Sequence, residues 1–281
     1  MHKVWQCGRY EFSLERPILM GIVNITPDSF SDGGRHDHTD AAIAHARKLV
    51  AEGANILDIG GESTRPGAAP VALEAELARV MPVLEAVRDS GVAVSIDTCK
   101  AEVMRAVLAA GADIINDVTG MRSAQARAVV AANPNCGICV MHMQGEPRTM
   151  QQDPQYEDVV REVHEALLRQ AHSLEQLGVG RARISLDPGF GFGKTVAQNY
   201  QLIAELETIV SSGYPVVFGA SRKSMLGAVT GRAVDQRLAG SIAAALAGVA
   251  HGAEVLRVHD VGETRDALII WQSVKDAGNT V

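Results

Sequence analysis

The chain has 281 residues, 47% of them hydrophobic and 21% charged, with a formal net charge of −7. That composition supplies a large core and argues against disorder; the negative balance and an aromatic content of only 4% argue against a general nucleic-acid binder. The opening residues Met1, His2, Lys3, Val4, Trp5 and Gln6 lack the apolar core of a signal peptide, and the run 238–250 is too short and too rich in Ala and Gly to span a bilayer, so a soluble cytoplasmic protein with no membrane partner is expected.

In chain order, residues 3–14 alternate around Cys7, Gly8 and Arg9 and predict a small hairpin. A first buried strand follows at 18–25. It turns abruptly polar at Asn24, Thr26, Asp28, Ser29, Ser31 and Asp32, with Pro27 ending the ladder and Gly33 and Gly34 loosening the loop. Such an ending is either a capped loop or one wall of a site. Thr39 and Asp40 can cap a helix carrying Ile43, Ala46, Leu49 and Val50, which Gly53 ends. Further strands are predicted at 55–59, 92–96, 113–115, 137–141, 183–186, 216–218 and 255–258. The helices between them carry Leu73, Leu77, Val80 and Leu84; Val103, Val107 and Leu108; a short segment near 123–132; Val160, Val163, Leu167 and Leu174; Leu202, Ile203 and Leu206; an Ala/Gly-rich helix from about 236; and a last helix with Ala267, Ile270 and Trp271.

Strict alternation of strand and helix means parallel strands with right-handed crossovers. Eight such units over about 265 residues fit a closed barrel better than an open sheet. The expected fold is therefore α/β, a (β/α)8 TIM barrel over 17–278 behind a short N-terminal β-hairpin over 1–16, in a single domain. Chemistry in such barrels collects at the C-terminal strand ends, and polar residues do collect there. The eight endings are Asn24; Asp58 through Gly67; Asp97 and Thr98; Asn116 and Asp117; His142; Asp187 through Lys194; Gly219 through Ser224; and Arg257, His259 and Asp260.

Two chemical sets emerge. Asp97, Asn116 and Asp187 are acceptors or amides near the axis, with Lys223 as a cation. Buried carboxylates cost several kcal/mol unless paired, so this set expects a donor-rich ligand. A pterin fits: its 2-amino and ring N–H edge resembles a guanidinium, and its carbonyl suits Lys223. The second set, Arg65, Arg257 and His259 with Asn24 beside them, suits an anion such as pyrophosphate. Ion pairs that merely brace the barrel rim are the competing reading.

These stretches, 21–34, 58–67, 95–98, 116–120, 187–194, 219–224 and 257–261, make the chain resemble the bacterial dihydropteroate synthases along nearly its full length. The resemblance implies condensation of 6-hydroxymethyl-7,8-dihydropterin diphosphate with p-aminobenzoate to 7,8-dihydropteroate and pyrophosphate, a step of folate synthesis that sulfonamides inhibit. It assigns Asp97, Asn116, Asp187, Lys223 and Gly219 to the pterin, with Met141 and Phe192 lining the slot. It assigns Asn24, Arg65, Arg257 and His259 to the diphosphate, with Asn24 also a ligand of Mg²⁺. Phe30, Thr64, Pro66 and Ser224 go to the p-aminobenzoate pocket, and Asp32 to the closing first loop. Asn24, Arg65, Lys223, Arg257 and His259 are the expected catalytic group. The family also implies a homodimer through the 238–250 part of the barrel. No nucleophile stands beside a base, and none is needed. Diphosphate leaves readily once its charge is neutralised, so an SN1-like displacement with pterin bound first is expected.

Other motifs fail on inspection. Gly189 through Thr195 looks like a nucleotide loop, but Pro188 and Lys194 stand where the Walker and dinucleotide patterns need glycine. Cys136 and Cys139 have redox spacing but run into a strand, so buried reduced thiols are expected. His164 and Glu165 lack a second His four residues on. A methyltetrahydrofolate-binding methyltransferase has no use for the Arg65, His259 and 221–224 anion set. A pterin-binding paralogue without synthase activity should have lost Phe30, Asp32, Thr64, Arg65 and Pro66.

Overall fold

The computed structural model describes residues 3–25, 35–64, 67–146 and 149–278, with backbone alone for 35–37. A hairpin, β1 (Val4–Cys7) and β2 (Tyr10–Ser13), stands apart from the main sheet. Eight parallel strands follow: β3 (Ile18–Asn24), β4 (Ile56–Gly60), β5 (Ala93–Asp97), β6 (Ile114–Asp117), β7 (Gly137–Met141), β8 (Ile184–Asp187), β9 (Val217–Phe218) and β10 (Val255–Val258). Their order around the sheet is β8-β7-β6-β5-β4-β3-β10-β9. The barrel closes between β8 and β9 through the isolated pairing of Leu186 with Val216, where the Leu186 N–H also donates to Pro215 O at 2.8 Å.

The connecting helices are α1 (Arg35–Glu52), α2 (Leu73–Val87), α3 (Ala101–Ala109), α4 (Ala124–Ala132), α5 (Val159–Glu175), α6 (Val196–Ala204) with the short α7 (Glu207–Val210), α8 (Ser224–Thr230) with α9 (Leu238–Ala250), and α10 (Val261–Gly278). Three features depart from the sequence-based expectation. Helix α1 starts at Arg35, so Thr39 and Asp40 lie inside it; neither Gly nor Pro interrupts 35–52, and polar residues cost little there. Leu206 falls in the break between α6 and α7. Helix α8 occupies what reads as a loop, its seven residues carrying a glycine and being too few to show a helical period.

Strand periodicity positions the site. Alternate residues point outward and pack under the helices: Leu57 and Ile59, Val94 and Ile96, Ile138 and Val140, Leu256 and Val258. The inward residues run from apolar to polar along each strand. Ile18, Met20, Ile56, Ala93, Ile114, Cys139, Val217 and Val255 form a bottom layer. Two residues further on stand Asp58, Ser95 and Asn116, and the next step reaches Asp97. The hairpin plugs the bottom: Trp5 and Cys7 are fully buried in the same cluster, and Trp5 Nε1 donates to Arg183 O at 3.1 Å. Arg9 forks onto Asp113 with two bonds of 2.9 Å, locking the hairpin to the barrel. Apolar closure below and polarity above leave one end for chemistry.

The cysteines follow the same logic. Cys136 and Cys139 are buried free thiols, and burial raises both above the ordinary thiol range, so neither is an activated redox group.

Candidate active site

The site residues occupy equivalent positions in successive barrel units. Asn24, Asp97, Met141 and Asp187 are the last residues of β3, β5, β7 and β8. Asn116 lies within β6, Gly219 follows β9, Arg257 lies within β10 and His259 follows it. Lys223 immediately precedes α8 and Ser224 is its first residue. A Cβ on Gly60 would lie 3.7 Å from Asn24 Oδ1 and 3.6 Å from Asp97 Cβ, and one on Gly219 would lie 3.7 Å from both Asp187 Oδ2 and Arg257 Cβ. These two glycines tie Asn24 to Asp97 and Asp187 to Arg257 at one mouth. Thr64 is half-buried beyond β4, and Ser224 is exposed. Phe30, Asp32, Arg65 and Pro66 lie outside the described residues.

The acidic and cationic sets are joined rather than separate. Arg257 donates Nε to Asp58 Oδ2 at 2.7 Å and Nη2 to Asp97 Oδ2 at 2.9 Å, and Asn116 Nδ2 donates to the same Asp58 oxygen at 3.2 Å. Asp58, Asp97, Asn116 and Arg257 thus form one hydrogen-bonded cluster. Burial pushes Asp97 up to about 7, with Arg257 opposing and Asp58, Asp117 and Glu76 adding to the rise. Asp187, held by the Gly189 N–H at 2.7 Å, is also raised by burial, against the pull of Lys223. Burial lowers Lys223 to about 8, with Asp187 opposing. His259 is pushed down to about 3 by burial and then by Arg257 and Arg222, so the imidazole is neutral rather than the cation suggested by sequence.

Asp58 escaped assignment from sequence, although a charge inside Ile56-Leu57-Asp58-Ile59 marks it. It is fully buried, and its second oxygen, Oδ1, has no partner among the described residues. Beyond the ends of β4 and β5, Lys100 Nζ bridges Glu62 and Glu76, and Glu62 Oε1 accepts the Val71 N–H at 3.2 Å. This closes the base of the loop that carries Thr64.

The slot wall is apolar. Val118, Met141, Met143 and Met150 form a small cluster against which Phe192 packs, and the Phe192 ring centroid lies 4.6 Å from Lys223 Nζ. The loop behind it explains the glycine-rich run. Gly189 has φ +67°, and a Cβ there would fall 1.9 Å from His142 O. The carbonyls of Gly189 and Phe192 accept from buried Lys194 Nζ at 2.9 and 3.0 Å, and His142 Nδ1 lies 3.1 Å from it. A phosphate loop wraps an anion in N–H groups; this one wraps its own lysine amine in carbonyls, and burial holds that amine well below the ordinary lysine range. Lys194→Met is expected to strand those acceptors and cost about 3 kcal/mol or more of stability, read by urea unfolding. A loss below roughly 1 kcal/mol would remove Lys194 from this role.

The fold and this mouth define a (β/α)8 barrel with a charged, polar pocket at the C-terminal ends of its strands, and comparison with known proteins gives its family. The family model described as pterin binding enzyme matches residues 20–259. A dihydropteroate synthase of Neisseria meningitidis serogroup C is 50% identical, covering 96% of this chain and 97% of that protein, and one of Escherichia coli K12 is 45% identical over 94% of each. The solved dihydropteroate synthase of Burkholderia cenocepacia, complexed with 7,8-dihydropteroate, superposes with a TM-score of 0.91 at 50% identity, covering 100% of this chain and 99% of that one. That of Xanthomonas albilineans with 4-aminobenzoic acid gives 0.92 at 48% identity, covering 98% and 99%. The chain belongs to the dihydropteroate synthase family of pterin binding enzymes.

Proposed function

We propose that the mouth of this barrel joins p-aminobenzoate to 6-hydroxymethyl-7,8-dihydropterin diphosphate, releasing 7,8-dihydropteroate and pyrophosphate. The observation that carries the residue assignment is the convergence of Asp97, Asn116, Asp187 and Lys223 beside the Met141–Phe192 wall. A flat heterocycle with a donor edge and a carbonyl matches that arrangement. Arg257, His259, Asn24 and Arg65 receive the diphosphate; Thr64, Ser224, Phe30 and Pro66 receive p-aminobenzoate, where sulfonamides compete.

Asn24 also fits the magnesium ion that the family implies. Its half-buried amide offers a hard oxygen beside Asp97, and Mg²⁺ commonly takes few protein ligands beside phosphate and water. Bound there, the ion supplies charge neutralisation on the diphosphate. The chain's own groups do the rest. Arg257 contributes a permanent positive charge, and the buried carboxylates favour positive charge developing at the pterin methylene carbon as the diphosphate leaves. The aniline nitrogen then attacks, an SN1-like course that heavy-atom isotope effects of associative size at that carbon would contradict.

Asp97 must be ionised to accept the pterin donors, and Lys223 protonated to meet its carbonyl. The kcat/KM for the pterin substrate is therefore expected to rise through about pH 7 and fall beyond about 8. A profile flat from pH 6 to 9 would contradict it.

The reading also includes a homodimer and a cytoplasmic location. Leu238 of α9 and Ile269, Ile270 and Val274 of α10 are exposed apolar side chains on neighbouring helices, as a subunit interface would require. Light scattering at micromolar concentration should give twice 29.8 kDa; a monomer would contradict it. Four free thiols suit a reducing compartment. The functional test is mass spectrometry of product with and without p-aminobenzoate. Dihydropteroate only in the full mixture is expected. Pterin binding without product would favour the inactive paralogue.

A further inference from the structure

Two successive residues after β9 meet two successive residues after β10. Ser221 Oγ lies 3.0 Å from His259 Nδ1 and accepts the His259 backbone N–H at 3.3 Å. One residue on, Arg222 forks onto Asp260, with Nε 3.0 Å from Oδ2 and Nη2 on Oδ1. In an extended strand, neighbouring side chains point to opposite faces. Here a reversal brings both to the same neighbour: Arg222 has φ +57°, a left-handed conformation that non-glycine residues avoid. The fork on Asp260 holds it, together with Ser241 Oγ, which accepts the Arg222 N–H at 2.9 Å. The strained turn thus delivers the Ser221 hydroxyl to the histidine ring.

A serine hydroxyl has one proton to give and two lone pairs. The His259 N–H occupies one lone pair, and Ser221 is only 6% exposed. If Nδ1 carried the ring proton, it would donate to Oγ, and the hydroxyl proton would need another acceptor. Among the described residues none is recorded for it. If the hydroxyl donates to Nδ1 instead, the serine hydroxyl and Nδ1 are both paired and the ring proton sits on Nε2.

We propose that Ser221 is a positioning residue that fixes His259 as the neutral Nε2–H tautomer, so that the leaving diphosphate meets an oriented hydrogen-bond donor rather than an imidazolium. This rests on the diphosphate assignment made above. It divides the labour at the leaving group. Arg257 supplies charge, and His259 supplies direction. A neutral imidazole whose single N–H proton is donated in a hydrogen bond does not act as a general acid, so pyrophosphate departs without taking a proton from it. The low basicity of the buried ring agrees with this neutral state.

The test is long-range ¹H–¹⁵N correlation NMR on histidine-¹⁵N-labelled protein at pH 7, with His259→Gln identifying the signals. Wild type should show Nδ1 bare and Nε2 protonated. Ser221→Ala should shift these signals toward a mixture of tautomers, and raise KM for the pterin diphosphate about tenfold while leaving KM for p-aminobenzoate within about twofold. Ser221→Thr, which keeps the hydroxyl, should restore both readouts. A protonated Nδ1 in wild type, or an unchanged spectrum in folded Ser221→Ala, would overturn the proposal. The wild-type spectrum decides even if the alanine variant does not fold. An Nδ1–H tautomer in an active enzyme would defeat this inference alone; an enzyme that forms no dihydropteroate would defeat the functional reading.

Discussion

Asp187→Ala is expected to abolish useful pterin affinity while leaving a folded protein. Asp187 ends β8 and is 4% exposed; one oxygen is held by the Gly189 N–H at 2.7 Å, and the other faces Gly219. A pterin placed against it has its amino and ring N–H groups buried, and truncation leaves them unpaired at roughly 1–3 kcal/mol each. Two stranded donors correspond to a dissociation constant raised by about a hundredfold or more. The loss should appear in binding, before any chemistry, so calorimetry with the pterin alone reads it. Asp187→Asn should do little better, because the amide presents a donor where the ligand also donates. Stability should change little, because the variant also relieves the burial of a carboxylate that burial disfavours in its charged form. An unchanged dissociation constant would remove Asp187 from the slot.

The second large effect is Arg257→Met, and it falls on the fold as well as on turnover. Arg257 is the cation that joins Asp58, which is fully buried, to Asp97. Its removal leaves two inward carboxylates without their partner, at about 3–5 kcal/mol. The pH dependence has a definite sign. Asp97 is already raised to about 7 with Arg257 present, and loses an opposing influence without it. A carboxylate raised in the folded state binds its proton more tightly there than in the unfolded chain. Its favourable contribution is therefore full below the unfolded value and is lost as pH rises through the folded one. The deficit of Arg257→Met should be larger at pH 8 than at pH 5.5, measured by urea unfolding at both. Equal deficits would mean that Arg257 packs against the mouth without compensating its charge.

Much of this was legible in the sequence for a specific reason. Each barrel strand carries its inward residues at alternate positions, so a polar residue ending an apolar run marks both the strand and the mouth. Asn24, Asp97, Asn116, Asp187 and Arg257 are visible in that way, and strand 255–258 is bounded as the structure has it. The illegible parts depended on partners distant in the chain. Asp58 stands out as a charge inside an apolar strand, but its partner does not, and only the fold brings it to Arg257, 199 residues away. Lys194 reads as the end of a nucleotide-like loop, because the carbonyls that enclose it have no local signature. The neutrality of His259 follows from its burial and its neighbours Arg257 and Arg222, which spacing does not reveal. Helix α8 is too short to show a period.

The central claim is that the acidic set on the barrel axis is a pterin slot. A crystal structure of the protein with the dihydropterin bound tests it most directly. The account requires the pterin amino and ring N–H edge on Asp97 and Asp187, the ring against Met141 and Phe192, and the carbonyl toward Lys223. A pterin seated elsewhere, with the Arg257–Asp97 pair and the Asp187 carboxylate untouched, would contradict the account and leave the mouth a braced rim.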